Sequence, residues 1–185
     1  MSLQDDMDAL LGGVDPASPE YKAVVARLMN KIDPMMPLGT PLHSACVRLN
    51  GGIAFEAACI RLSRDNGKIE VYLRRRGDNE DAHPGQWHLP GSFVRQGEQI
   101  EITAWRLGKG EFKSLVTDFR HVGDFKTPDD RGEIESKLFR VWLDTGPQID
   151  ERHQWFPYDQ LPDKMVDFHA ETLIPAAVEF VRQGR

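Results

Sequence analysis

The chain is expected to fold as α/β, with a mixed β-sheet between helices and a helical extension at its N-terminus. Three observations predict this. Segments of alternating apolar residues, separated by tight-turn signals, run from about residue 43 to 143. Helical patterns stand before and after them, over residues 18–32 and 168–182. Between the strand segments a Gly-Glu turn, Gly97-Glu98, opens one further helix from Ile100.

The extension, residues 1–42, begins acidic, with Asp5, Asp6 and Asp8. Ser18 is a candidate N-cap, Pro19 suits the first helical position, and Glu20 falls in the first turn. Tyr21, Val24, Val25, Leu28 and Ile32 then repeat at spacings that put them on one helical face. Pro34 and Pro37 close that helix.

Residues 43–185 form the main domain. Residues 44–49 (SACVRL) read as a strand running into Asn50-Gly51-Gly52, a hairpin signal, with residues 53–63 (IAFEAACIRLS) returning. After a turn at residues 65–68, Ile69 to Arg75 reads as a strand that leads into Arg74-Arg75-Arg76. Two readings of these arginines stay open. Guanidinium groups bind phosphate oxygens bidentately, or they pair with the Asp78, Glu80 and Asp81 carboxylates of the next loop. Thr117 to Lys126 and Ile134 to Leu143 read as paired strands around a charged turn, and Phe168 to Arg182 as the last helix.

Composition excludes several classes. A net charge of −6 leaves no basic footprint for nucleic acid or anionic membrane. No apolar run approaches the ~20 residues of a membrane-spanning helix. Cys46 and Cys59 sit in apolar, strand-like segments and read as reduced core residues of a cytoplasmic protein.

Residues 70–114 carry a family resemblance. An apolar strand ends in arginines, a polar loop crosses to Gln86-Trp87-His88-Leu89-Pro90-Gly91, and the Gly97-Glu98 turn opens a helix. This resembles the Nudix hydrolases, as does Trp155-Phe156-Pro157-Tyr158-Asp159-Gln160-Leu161-Pro162 farther on; the likeness covers residues 54–182. It implies an α/β/α sandwich of Nudix type, with Trp87 and His88 as packing residues. It also implies a nucleoside diphosphate linked to another moiety as ligand class, and Mg²⁺ as cofactor.

The family signature is G-x5-E-x7-R-E-U-x-E-E-x-G-U, where U is aliphatic. Its specified positions fall on Ser92, Glu98, Arg106, Leu107, Gly108, Gly110, Glu111, Lys113 and Ser114. Only Glu98, Arg106 and Glu111 match. Magnesium takes hard oxygen ligands, and the signature glutamates present them on one helical face. Here Leu107 and Gly110 replace two of them. Gly108 and Gly110 also weaken the helix, by about 1 kcal/mol each, so it could end near Leu107.

The resemblance therefore implies Glu98 and Glu111 as the remaining metal ligands and Arg106 as an orienting residue; with two carboxylates replaced, the expected partner of Arg106 is Glu98, eight residues earlier, or a backbone carbonyl of the Gly-Glu turn. Glu135, with Glu133 beside it, is the nearest candidate for a general base from outside the signature, and Glu101 a further recruited carboxylate. Arg74, Arg76 and Ser92 are the candidate ligand-binding residues. Three functions remain open: an inactive or weak hydrolase that binds a nucleotide-type ligand, an active Mg²⁺-dependent pyrophosphohydrolase, and a structural or homodimeric protein without a ligand.

Overall fold

The computed structural model describes residues 15, 18–32, 38–39, 42–43, 45–47, 51–80, 82–127 and 134–184. The chain divides into two compact units, Met1–Leu38 and Gly39–Arg185. In the first, α1 (Pro19–Met29) starts as its sequence predicts. The Ser18 side chain accepts a hydrogen bond from the Tyr21 amide at 3.1 Å, satisfying one of the helix's orphan donors.

The second unit is organised on β1 (Gly52–Leu62), the central strand. It pairs in parallel with β6 (Ile134–Leu143), from Gly52 opposite Ile134 to Cys59 opposite Val141. It pairs antiparallel with β2 (Ile69–Arg75) at one end and with β4 (Gly91–Phe93) at the other. β5 (Val116–Thr127) runs antiparallel along β6, while β3 (Trp87–His88) and β7 (His153–Pro157) flank β2. The parallel pairing of β1 with β6 makes the sheet mixed.

Alternation along β1 and β2 feeds two cores. Phe55, Ala57, Cys59 and Tyr72 pack with Ala104 and Leu107 of α2 (Ile100–Leu107) and with Phe112. Ala58, Val71 and Leu73 lie with Leu173, Ile174, Ala177 and Val178, which bring in α3 (Ile174–Arg182). Helices thus cover both faces, as expected for the α/β/α sandwich. Full burial of one such Leu or Phe contributes about 1.5–3 kcal/mol, so these two clusters dominate the stability of the unit.

Both helices carry a wider π-type turn. α2 ends at Leu107 and continues through Gly108–Phe112, whereas α3 is entered through His169–Leu173. Gly108 opens the first. A Cβ there would stand 2.7 Å from the Ser114 carbonyl oxygen and 3.0 Å from the Val116 amide, so β5 approaches only because residue 108 has no side chain. In the second, Pro175 has no N–H to continue the helical ladder, and the helix takes its wider turn over the residues just before it.

One sequence expectation is overturned. Residues 45–47, read as part of a strand, are helical, so Cys46 is not on the sheet; Leu49 and Asn50 lie outside the described residues. The apolar run is too short for periodicity to separate a strand from a helical turn. Cys46 is half-buried and Cys59 buried, and both are free thiols. Burial pushes the Cys59 thiol up to about 12, which makes it an inert core residue.

Candidate functional site

The turn before α2 is built on Glu98. Its Oε2 accepts hydrogen bonds from the Arg95 amide at 2.9 Å and the Thr103 hydroxyl at 2.8 Å. Arg106, two turns along the helix, returns to donate from Nε to Oε1 at 3.1 Å and from Nη2 to Oε2 at 2.9 Å. The same guanidinium donates to the Ser92 hydroxyl at 2.5 Å and the Phe93 carbonyl at 2.9 Å. The Glu98 side chain is only 2% exposed. The hydrogen bond from Arg106, aided by those from Arg95 and Thr103, outweighs desolvation and holds its carboxyl at about 2. Glu98, Arg106 and Ser92 are therefore brought together, as one buried clasp joining β4 to α2.

Glu111 lies in the π turn, and its Oε2 is 2.9 Å from Arg74 Nε on β2. That contact is an ion pair, whereas Arg74 donates a hydrogen bond from Nη2 to Glu80 Oε1 at 3.0 Å. Arg76 Nη1 donates to Glu80 Oε2 at 3.1 Å and to the Ala82 carbonyl at 3.1 Å. Of the two readings of the arginine run, loop pairing is therefore the one present. Arg75, on the alternate side, bonds the Gly85 carbonyl and lies 3.5 Å from Asp78.

Leu107, at a signature carboxylate position, is 2% exposed and belongs to the apolar core beneath α2. Gly110 is exposed, with nothing within 4 Å of a Cβ built on it. Lys113, where the signature has glycine, adopts a left-handed conformation with φ of 54°. Its carbonyl-capping role explains this: the Lys113 amide bonds back to Gly108 O as the turn ends.

Glu135 is on the exposed side of β6 and is paired with Lys137 at 2.7 Å. Among the described residues it shares no hydrogen bond or ion pair with Glu98 or Glu111. Glu133 lies outside the described residues, and Glu101 is exposed at the start of α2.

Beside the arginines, the Trp87-to-Gly91 segment is held from α3's side of the fold. The Leu89 amide donates to His169 Nδ1 at 3.1 Å, and the His88 and His169 rings meet edge-on at 5.9 Å. Burial, then the positive charge of Arg76, drives both imidazoles toward the neutral form; His169 falls to about 3. Trp87 packs against Phe156 at 4.9 Å. Gly91 lies under the Glu56 carboxylate, whose Oε2 would be 2.4 Å from a Cβ at that position. Nothing in the sequence marked Glu56 or His169, because only pairing across the sheet and chain return from α3 bring them here.

Magnesium is the group that the resemblance implies, and the donor set does not fit it. Both surviving signature carboxylates face guanidinium groups, and the described residues contain no cluster of three or more His, Cys, Asp or Glu able to hold a metal ion.

A family model described as NUDIX domain matches residues 54–176. No curated protein matches the chain. Among solved structures, the chain is similar to a MutT NUDIX hydrolase from Burkholderia pseudomallei, with 20% identity and a TM-score of 0.52 over 68% of this chain and 94% of that one. It is also similar to the NUDIX domain of Shewanella oneidensis NrtR, solved as a complex with ADP ribose (18% identity, TM-score 0.57, 84% and 97% covered). A third likeness is to the C-terminal domain of mouse MUTYH, solved in complex with human PCNA (13%, 0.57, 70% and 89%). At these identities the likeness is one of fold. The family model spans most of the sheet, α2 and the entry to α3, and by that match the chain belongs to the Nudix family.

Proposed function

We propose that this Nudix-family domain binds a nucleotide-type ligand, a nucleoside diphosphate linked to another group, and that it hydrolyses such compounds weakly or not at all. The observation that carries this reading is the commitment of both remaining signature carboxylates. Arg106 holds Glu98 in a buried clasp, and Arg74 neutralises Glu111. Hydrolysis of a diphosphate bond by this family's chemistry needs carboxylates free to bind cations that offset phosphate charge. Leu107 and Gly110 contribute no oxygen ligand from their side chains.

Arg74 and Arg76 are the residues assigned to the ligand's phosphates. They stand at the end of β2 beside the neutral His88 and His169, on a partly exposed stretch of the sheet. Ser92 is assigned to positioning, since its hydroxyl is taken by Arg106. The reading includes a cytoplasmic location and no nucleic-acid partner, in keeping with a net charge of −6. No described helix is long and apolar enough to cross a membrane.

The ligand bound to the NrtR domain makes ADP-ribose the first probe. Phosphate and AMP release from ADP-ribose and from nucleoside triphosphates, with Mg²⁺ and with Mn²⁺, should stay near background while calorimetry detects ADP-ribose binding. Robust turnover abolished by Glu111→Gln would refute the proposal and establish an active pyrophosphohydrolase instead. Neither turnover nor binding would leave a structural or dimeric role.

A further inference from the structure

The two arginines assigned to phosphate already hold an anion of the chain's own. Glu80 places Oε1 on Arg74 Nη2 at 3.0 Å and on the Gly77 amide at 3.0 Å, and Oε2 on Arg76 Nη1 at 3.1 Å. Two guanidinium groups and a backbone N–H thus converge on one two-oxygen anion, the donor geometry a phosphate also uses. Arg74 and Arg76 are two apart and so lie on the same side of the strand.

Charge makes the same point. Arg74 and Arg76 carry two positive charges, Glu80 and Glu111 two negative ones, and the neighbouring His88 and His169 are held neutral. An incoming phosphate therefore meets arginines that already face carboxylates, and the departure of Glu80 takes one negative charge away from them. Glu80 is the mobile choice of the two carboxylates. It lies in the loop after β2, held there by a turn with Glu80 N on Gly77 O at 3.2 Å, whereas Glu111 is anchored in the turn packed under Phe112. The Glu80 side chain is 31% exposed, so it can swing into water without passing through the core. Ion pairs at this depth are screened less than surface pairs but are not sealed.

We propose that Glu80 is a built-in competitor: its carboxylate occupies the Arg74–Arg76 clamp, and a phosphate-bearing ligand binds by displacing it. The proposal rests on the assignment of these arginines to phosphate. It adds the regulation of that site, in which affinity is set by how firmly the loop carboxylate holds the clamp.

The test is calorimetric titration of the full chain with ADP-ribose and, separately, with inorganic pyrophosphate. Glu80→Gln keeps the side chain's shape and removes its charge. It should bind both probes about tenfold more tightly than the wild type, the scale of one charge pair at 1.4 kcal/mol per decade. The salt dependence of binding should also steepen, because one fewer negative charge opposes the ligand. Asp78→Asn removes an equal charge from the same loop, but its partner is Arg75 on the other side of the strand, and it should change affinity less than twofold.

Thermal unfolding confirms that each variant is folded, and a melting temperature of Glu80→Gln close to that of Asp78→Asn guards against a loop that fails without its carboxylate. Equal or weaker binding by Glu80→Gln, with ADP-ribose still bound by the wild type, overturns the competitor and leaves the ligand assignment standing. An equal gain from Asp78→Asn also overturns it, since bulk charge would then be the cause. Absence of binding to any variant overturns both. Tight pyrophosphate binding by Glu80→Gln alone upholds the competitor even if the wild type binds no ADP-ribose.

Discussion

Arg106→Ala removes four hydrogen bonds at once, two to Glu98 and one each to Ser92 and Phe93. The costly part is what remains. The Glu98 side chain is 2% exposed and keeps only the Arg95 amide and Thr103 hydroxyl as donors. Breaking a fully buried pair costs about 3–5 kcal/mol. Arg106 is 26% exposed, which lets water reach part of the gap. The expected loss is therefore at the lower end, about 3 kcal/mol. For a chain of this size that lowers Tm by roughly 6–12 °C, measured by circular dichroism at pH 7.

The acid limb provides a second readout. In the wild type, Glu98 has a folded-state value of about 2 against an ordinary 4.5. The unfolded chain therefore binds the proton first, and stability falls as the pH drops below 4.5 toward 2. Above 4.5 the contribution is complete. Discounted for the partly exposed Arg106, it amounts to about 2 kcal/mol. In Arg106→Ala the carboxyl rises toward its ordinary value, so this part of the acid loss should disappear. An unchanged Tm, or an acid limb as steep in the variant as in the wild type, would refute the clasp.

Two further predictions concern signature positions. Lys113→Gly should raise stability by about 0.5–1 kcal/mol, as relief of the left-handed lysine outweighs the greater entropy that glycine loses on folding; urea unfolding measures it. Restoring the signature glutamates should split sharply. Gly110→Glu points into open space and should be neutral or stabilising by up to about 1 kcal/mol. Leu107→Glu should cost about 4 kcal/mol, because it empties a core position and buries a carboxylate beside Phe55 and Phe112. Equal melting temperatures for the two variants would show that Leu107 is not a core residue.

Much of the fold was legible from residue order. Ser18-Pro19 set the start of α1, and alternation placed β2 and β6 at Ile69–Arg75 and Ile134–Leu143, because strand period and helix caps are local properties. Glu98, Arg106 and Glu111 were likewise singled out, by the resemblance to the Nudix signature. The pairing of Arg106 with Glu98, eight residues earlier, was legible as well. The partner of Glu111 was not: it meets Arg74 only because β2 lies beside the π turn, a contact between residues 37 apart in the chain. The helical turn at 45–47 also escaped, since an apolar segment of that length suits either conformation until its neighbours decide. Leu107 shows the division most clearly. Sequence marked it as a carboxylate position holding a leucine, and tertiary packing made that leucine part of the core beneath α2. Residue order determines which groups are available and on which local face they stand. Whether a carboxylate faces a cation of the chain or remains open to a ligand depends on long-range packing, because that alone sets the charge and the water around it.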